Sequence, residues 1–119
     1  MISAKEFKDG LVCWYGTIMF SANSFKVIKL DKPVEVEIKI SRISGAGDVI
    51  WFDLKNKSNS SFIAHKYYRK SYGPSYIFPD LFESKKECVE ELNATIRNQM
   101  DKLQSFYETK QQYLKNKLL

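Results

Sequence analysis

The sequence predicts an α+β fold: an antiparallel sheet or small open β-barrel of five to six strands, followed by one long C-terminal α-helix. Three observations carry that prediction. The stretch from Ser84 to Leu119 contains neither Gly nor Pro. Residues 34–41 alternate strictly between apolar and polar side chains. Upstream, short runs of strand-forming residues are separated by turn-forming clusters at hairpin spacing.

Leu11 to Phe20 is apolar on both of its faces and reads as a central strand buried on both sides. Gly16 within it predicts a bulge or a close backbone approach. Ser21-Ala22-Asn23-Ser24 reads as a turn. Phe25 to Leu30 then forms a short strand that Asp31-Lys32-Pro33 breaks. In the next strand Val34, Val36, Ile38 and Ile40 point one way, while Glu35, Glu37, Lys39 and Ser41 point the other, as in a half-buried antiparallel strand.

Ser44 to Asp48 is a hairpin loop, and residues 49–55 return from it. Ile50, Phe52 and Leu54 share the core face there, which puts Trp51 on the other. Gly45-Ala46-Gly47 opens like G-x-G-x-x-G, but Ile50 stands at the third glycine position and the loop joins two strands, so it is not a phosphate cradle. Asn56 to Ser61 is a polar loop, Phe62 to Tyr68 a further strand, and Arg69 to Ser75 a loop around Gly73-Pro74. Tyr76 to Phe78 and Leu81 lead into the helix.

The helix opens with Ser84-Lys85-Lys86-Glu87, a capping box in which Ser84 accepts from the Glu87 amide and Glu87 reaches back to the Ser84 amide. Acids cluster early and bases late, in the sense that suits the helix dipole. Leu92, Ile96, Met100, Leu103, Tyr107, Leu114 and Leu118 step by three, four or seven and form one stripe. At about 1.5 Å per residue such a helix runs roughly 54 Å, against roughly 30 Å for the diameter of the preceding 83 residues folded compactly. Residues 1–83 and 84–119 therefore form one structural domain whose helix overhangs the sheet. Val89, Leu92 and Ile96 are expected against the sheet. Leu103, Phe106, Tyr107, Leu114 and Leu118 are expected beyond its edge, where they predict a homodimer.

Composition bounds the function. The net charge is +5, with 12 Lys+Arg against 8 Asp+Glu in residues 1–82. That surplus permits an acidic partner or a nucleic acid without demanding either. Cys13 and Cys88 fall in no motif and read as core residues of a reducing compartment. No stretch has the roughly 20 apolar residues of a membrane span, and the first ten residues lack a signal-peptide core, so a cytoplasmic location is expected. His65 is the sole histidine, too few ligands with two distant cysteines for a zinc site. No serine lies in a nucleophile elbow. No metal, cofactor or catalytic set is predicted.

The most distinctive segment runs from His65 to Tyr76, with Lys66, Arg69 and Lys70 interleaved among four tyrosines and no acid. Cations meet phosphates and tyrosine rings stack on bases, but tyrosine-rich basic loops equally serve protein interfaces. The candidate partner-binding residues are Lys66, Tyr67, Tyr68, Arg69, Lys70, Tyr72 and Tyr76, together with Trp51.

The junction from Leu81 to Leu92 (LFESKKECVEEL) resembles one found in many small bacteriophage accessory proteins, in which a short β domain passes through an aromatic residue and a capping hydroxyl into a final helix. That resemblance implies no activity, cofactor or residue role; it points to a phage or mobile-element protein acting on a host component. The expected function is a non-enzymatic, protein-binding regulator or inhibitor. The alternative is an RNA- or DNA-binding protein that uses the basic tyrosine-rich loop 65–76.

Overall fold

In a computed structural model, which describes residues 1–22 and 24–118, the chain is a five-stranded open antiparallel sheet followed by one long helix. The strands are β1 (Val12–Phe20), β2 (Val27–Ile43), β3 (Val49–Asn56), β4 (Phe62–Arg69) and β5 (Leu81–Phe82), and the helix is α1 (Lys85–Lys115). Their order across the sheet is β4-β3-β2-β1-β5, and every pairing is antiparallel. This is the predicted α+β arrangement, and among the described residues no helix is long and apolar enough to cross a membrane. Asn23, in the predicted first turn, and Leu119 lie outside the described residues.

Alternation builds the core. Cys13, Tyr15, Val36, Ile38, Ile50, Phe52, Leu54 and Tyr68 project from one face of the sheet and are buried there. The segments before β1 and before β5 cover them. Ser3 pairs with Ile77, and Ile2, Phe7, Phe78 and Leu81 close over the face. Phe7 stacks on Phe78 at 5.0 Å and meets Phe52 edge-on at 4.9 Å.

Two strand expectations change. Asp31-Lys32-Pro33 does not break the chain into two strands; β2 runs through it for 17 residues. The ladder to β1 skips there, from Tyr15↔Val34 to Thr17↔Asp31. Pro33 therefore sits where no ladder donor is needed. Nor is β1 buried along its whole length. Beyond Gly16, β1 and the first part of β2 leave the core as a hairpin arm, with Met19, Val27, Ile28 and Leu30 exposed.

The helix packs on the opposite face from the core, at the β1–β5 end. Ser84 caps it, its hydroxyl accepting from the Glu87 amide at 3.1 Å. The reciprocal half of the capping box is absent, because the Glu87 carboxylate instead holds the Met1 amino group at 2.5 Å. The expected packing of Val89, Leu92 and Ile96 holds only for Leu92. Cys88 is fully buried, whereas Val89 and Ile96 are exposed, because the helix settles where Gly16 presents no side chain and Cys88 and Leu92 can approach its backbone. Farther along, Phe106 meets Phe25 of the arm, ring centres 5.8 Å apart. The molecule measures 69 × 33 × 20 Å, so the helix and arm extend it well beyond the sheet.

Candidate functional site

Beyond the helix contact, no element among the described residues covers the outer face of β2, β3 and β4. Register places its side chains. Arg42 pairs with Trp51, and Trp51 with Tyr67. The Arg42 guanidinium lies 3.9 Å from the centre of the Trp51 ring, and Arg69 lies 5.9 Å from that of Tyr67. The neighbouring row holds Lys39, Asp53 and His65, with His65 Nδ1 hydrogen-bonded to the Asp53 carboxylate. The next holds Glu37, 2.5 Å from Lys39 Nζ and 3.9 Å from Lys57 Nζ. Glu35 and Glu37 are thus surface side chains on the polar face, as the alternation predicts. Alternating cations and flat rings give the upper part of this face a surface for aromatic, acidic or phosphate groups.

The predicted binding segment is divided by the fold. Tyr67, Arg69, Lys70 and Tyr72 are exposed. Tyr68 is buried, and Tyr76 stacks on it at 5.8 Å while meeting Tyr72 at 4.9 Å. Those three rings continue the core cluster through Phe78, which leaves Tyr67 and the half-buried Trp51 as the rings of this set on the outer face. Lys66 points to the core side, its Nζ 3.1 Å from Asp80 Oδ2 and 5.7 Å from the ring of Tyr15. The Tyr15 hydroxyl donates to Asp31 at 2.9 Å. Burial, then that hydrogen bond to Asp31, push the tyrosine's pKa far above its ordinary value.

A cleft of about 270 Å³ opens between β4 and the segment before β5, lined among others by Phe52, Lys66, Tyr76, Phe78, Asp80 and Leu81. No group of three or more His, Cys, Asp or Glu side chains is placed to hold a metal ion among the described residues. Cys13 and Cys88 are both free and buried. Burial pushes the Cys13 thiol up to about 12 and the Cys88 thiol up to about 11, so neither carries the thiolate that nucleophilic work requires.

The predicted oligomerisation residues lie along the projecting half of α1, except Leu118, which follows the end of the helix at Lys115. Leu103 is half-buried, Phe106 touches the arm, and Tyr107, Leu114 and Leu118 are exposed, Leu114 by 64%. Sequence reasoning missed the arm residues Met19, Val27, Ile28 and Leu30, which are also exposed. The signal was present in Val27 and Ile28, adjacent apolar residues that no half-buried alternation accommodates. It also missed Arg42, which only a bulge between Ile40 and Arg42 turns toward Trp51.

No family model matches this chain, and no curated protein or solved structure matches it significantly.

Proposed function

We propose that this chain is a non-enzymatic, protein-binding module of the regulator or inhibitor kind, working as a homodimer held by its helix and hairpin arm. One observation supports it above the others: Met19 and Ile28 on the arm, Met100, Tyr107 and Leu114 on α1, and Leu118 just after the helix are all more than half exposed. Large apolar side chains left exposed together on one projection mark an interaction site. Burying several such side chains at about 1.5–3 kcal/mol each offsets an association cost of about 4–15 kcal/mol. A closed two-fold pair is the commonest arrangement of identical subunits. The two reduced, buried cysteines accord with a cytoplasmic setting.

Light scattering on the purified chain at about 100 μM, well above the Kd of a stable dimer, tests this. The expected mass is twice that of the chain. Leu114→Glu with Leu118→Glu, and separately Ile28→Glu, should return it to one chain with the far-ultraviolet circular dichroism unchanged. A monomeric unmodified protein at that concentration rules the dimer out.

A second reading rests on its own observation, the row of Arg42, Trp51, Tyr67 and Arg69 on the open sheet face. Such a row suits a single-stranded nucleic acid, with rings stacking on bases and cations meeting phosphates.

A further inference from the structure

β4 is an edge strand. Among the described residues none of its backbone groups hydrogen-bonds outside its ladder with β3. Alternate N–H and C=O groups along Phe62–Arg69 therefore point outward, a template for one more strand. The cleft lies directly against that edge, beneath His65, Lys66 and Tyr67. Its floor is apolar, from Phe52, Phe78 and Leu81, and at about 270 Å³ it has room for a large aliphatic or aromatic side chain. Where the strand ends, Arg69 and Lys70 are exposed and have no acidic side chain within 4.0 Å among the described residues, whereas Lys66 and His65 are paired with Asp80 and Asp53.

We propose that this edge and cleft accept a short extended peptide of another protein, added to the sheet as a sixth strand, with one apolar side chain in the cleft and acidic side chains beside Arg69 and Lys70. Main-chain hydrogen bonds then supply affinity, while the cleft and the two cations supply selection. A second copy of β4 is the poorer occupant. Antiparallel self-pairing about a two-fold axis sets Lys66 against Lys66 when the axis passes through that residue, or Lys66 against Arg69 when it passes between Tyr67 and Tyr68, and like charges facing across a ladder destabilise it. A nucleic acid has no amide ladder to offer this edge. The site lies apart from the helix and arm, so its test reads β4 alone and leaves the dimer to its own measurement.

The probe is a fluorescein-labelled eight-residue peptide alternating leucine with glutamate or threonine, titrated by anisotropy against the full chain. Saturable binding with a Kd below about 1 mM is expected. N-methylation of successive peptide amides should abolish binding at every second position and spare the others, because only alternate amides face the edge. Arg69→Glu should weaken binding about tenfold, and bound peptide should slow amide exchange in β4. Absence of binding at about 1 mM, N-methylation losses without a two-residue period, or slowed exchange confined to α1 would each overturn the proposal.

Discussion

Cys88 Sγ stands 2.6 Å from the point that a Cβ on Gly16 would occupy. Real Cβ atoms do not come that close, so the helix is seated on the bare backbone of β1. Leu92 Cδ1 and the Asp31 carbonyl oxygen, each 3.3 Å from the same point, close the remaining room. Gly16→Ala is expected to cost about 1–3 kcal/mol, as overpacking does. Combined with Cys88→Ala it should cost less than the sum of the two single changes, by at least about 0.5 kcal/mol, since the first atom in the way is gone. Urea unfolding of the four proteins measures this, and strict additivity would mean the helix is not seated there.

The thiols make an alkaline prediction. Both folded pKa values lie above the ordinary 9.0, near 12 for Cys13 and 11 for Cys88, because burial disfavours the thiolate. A raised folded pKa contributes stability that is fully present below the unfolded value and lost as pH rises through the folded one. Stability should therefore be flat with respect to these groups up to about pH 8 and decline from about pH 9 to pH 11–12. Tyr15, shifted in the same direction, adds to the decline at the upper end. At pH 8 a disulfide reagent should label neither cysteine in the native chain and both in denaturant. Rapid native labelling at either position would contradict the packing.

Glu35 and Glu37 should be nearly dispensable for stability. Lys39 holds the Glu37 carboxyl below its ordinary 4.5, chiefly by a hydrogen bond, and both side chains keep partial access to solvent. A lowered folded pKa gives stability present above the unfolded value and lost in acid, and solvent keeps that contribution small. Each change to Gln should leave the unfolding midpoint nearly where it is, as at ordinary surface sites. Thermal unfolding at pH 7 and pH 4 decides; a large effect at pH 7 would mean the two carboxylates have a role beyond solubility.

For the open sheet face, fluorescence anisotropy with single-stranded oligonucleotides separates the two functional readings. If that face binds nucleic acid, affinity should fall steeply with salt through counterion release. Trp51→Ala should cost about 1–3 kcal/mol through lost stacking, and joint loss of Arg42 and Arg69 should reduce the salt slope. No binding at about 50 mM salt retires this reading and leaves the protein-binding one.

The fold was legible where periodicity is local. The strict alternation of Val34 to Ser41 gave the core face of β2, and the capping serine placed the start of α1 within one residue. What escaped was decided between elements. The rotation of α1 depends on a glycine 72 positions upstream of Cys88, so the apolar stripe alone selected Val89 and Ile96 where Cys88 is the buried residue. Pro33 looked like a terminator because nothing local reveals that the ladder to β1 skips it. The candidate site was readable as a composition of cations and rings. Its division into an outward pair, Trp51 and Tyr67, and an inward cluster of Tyr68 and Tyr76 required the register of β3 against β4.

Because β2 is one unbroken strand, its two ends lie in very different surroundings. Around Val36 and Ile38 it is sealed on the core side, while around Ile28 it stands 62% open to water. Opening free energies within a native protein range from near zero at exposed ends to the global value in the core. Deuterium uptake should therefore grade along β2, slow at Ile38 and fast at Ile28, without a break at Pro33. A partner seated on the arm would flatten that gradient from the fast end, so a single strand carries a readout of whether the projection is occupied.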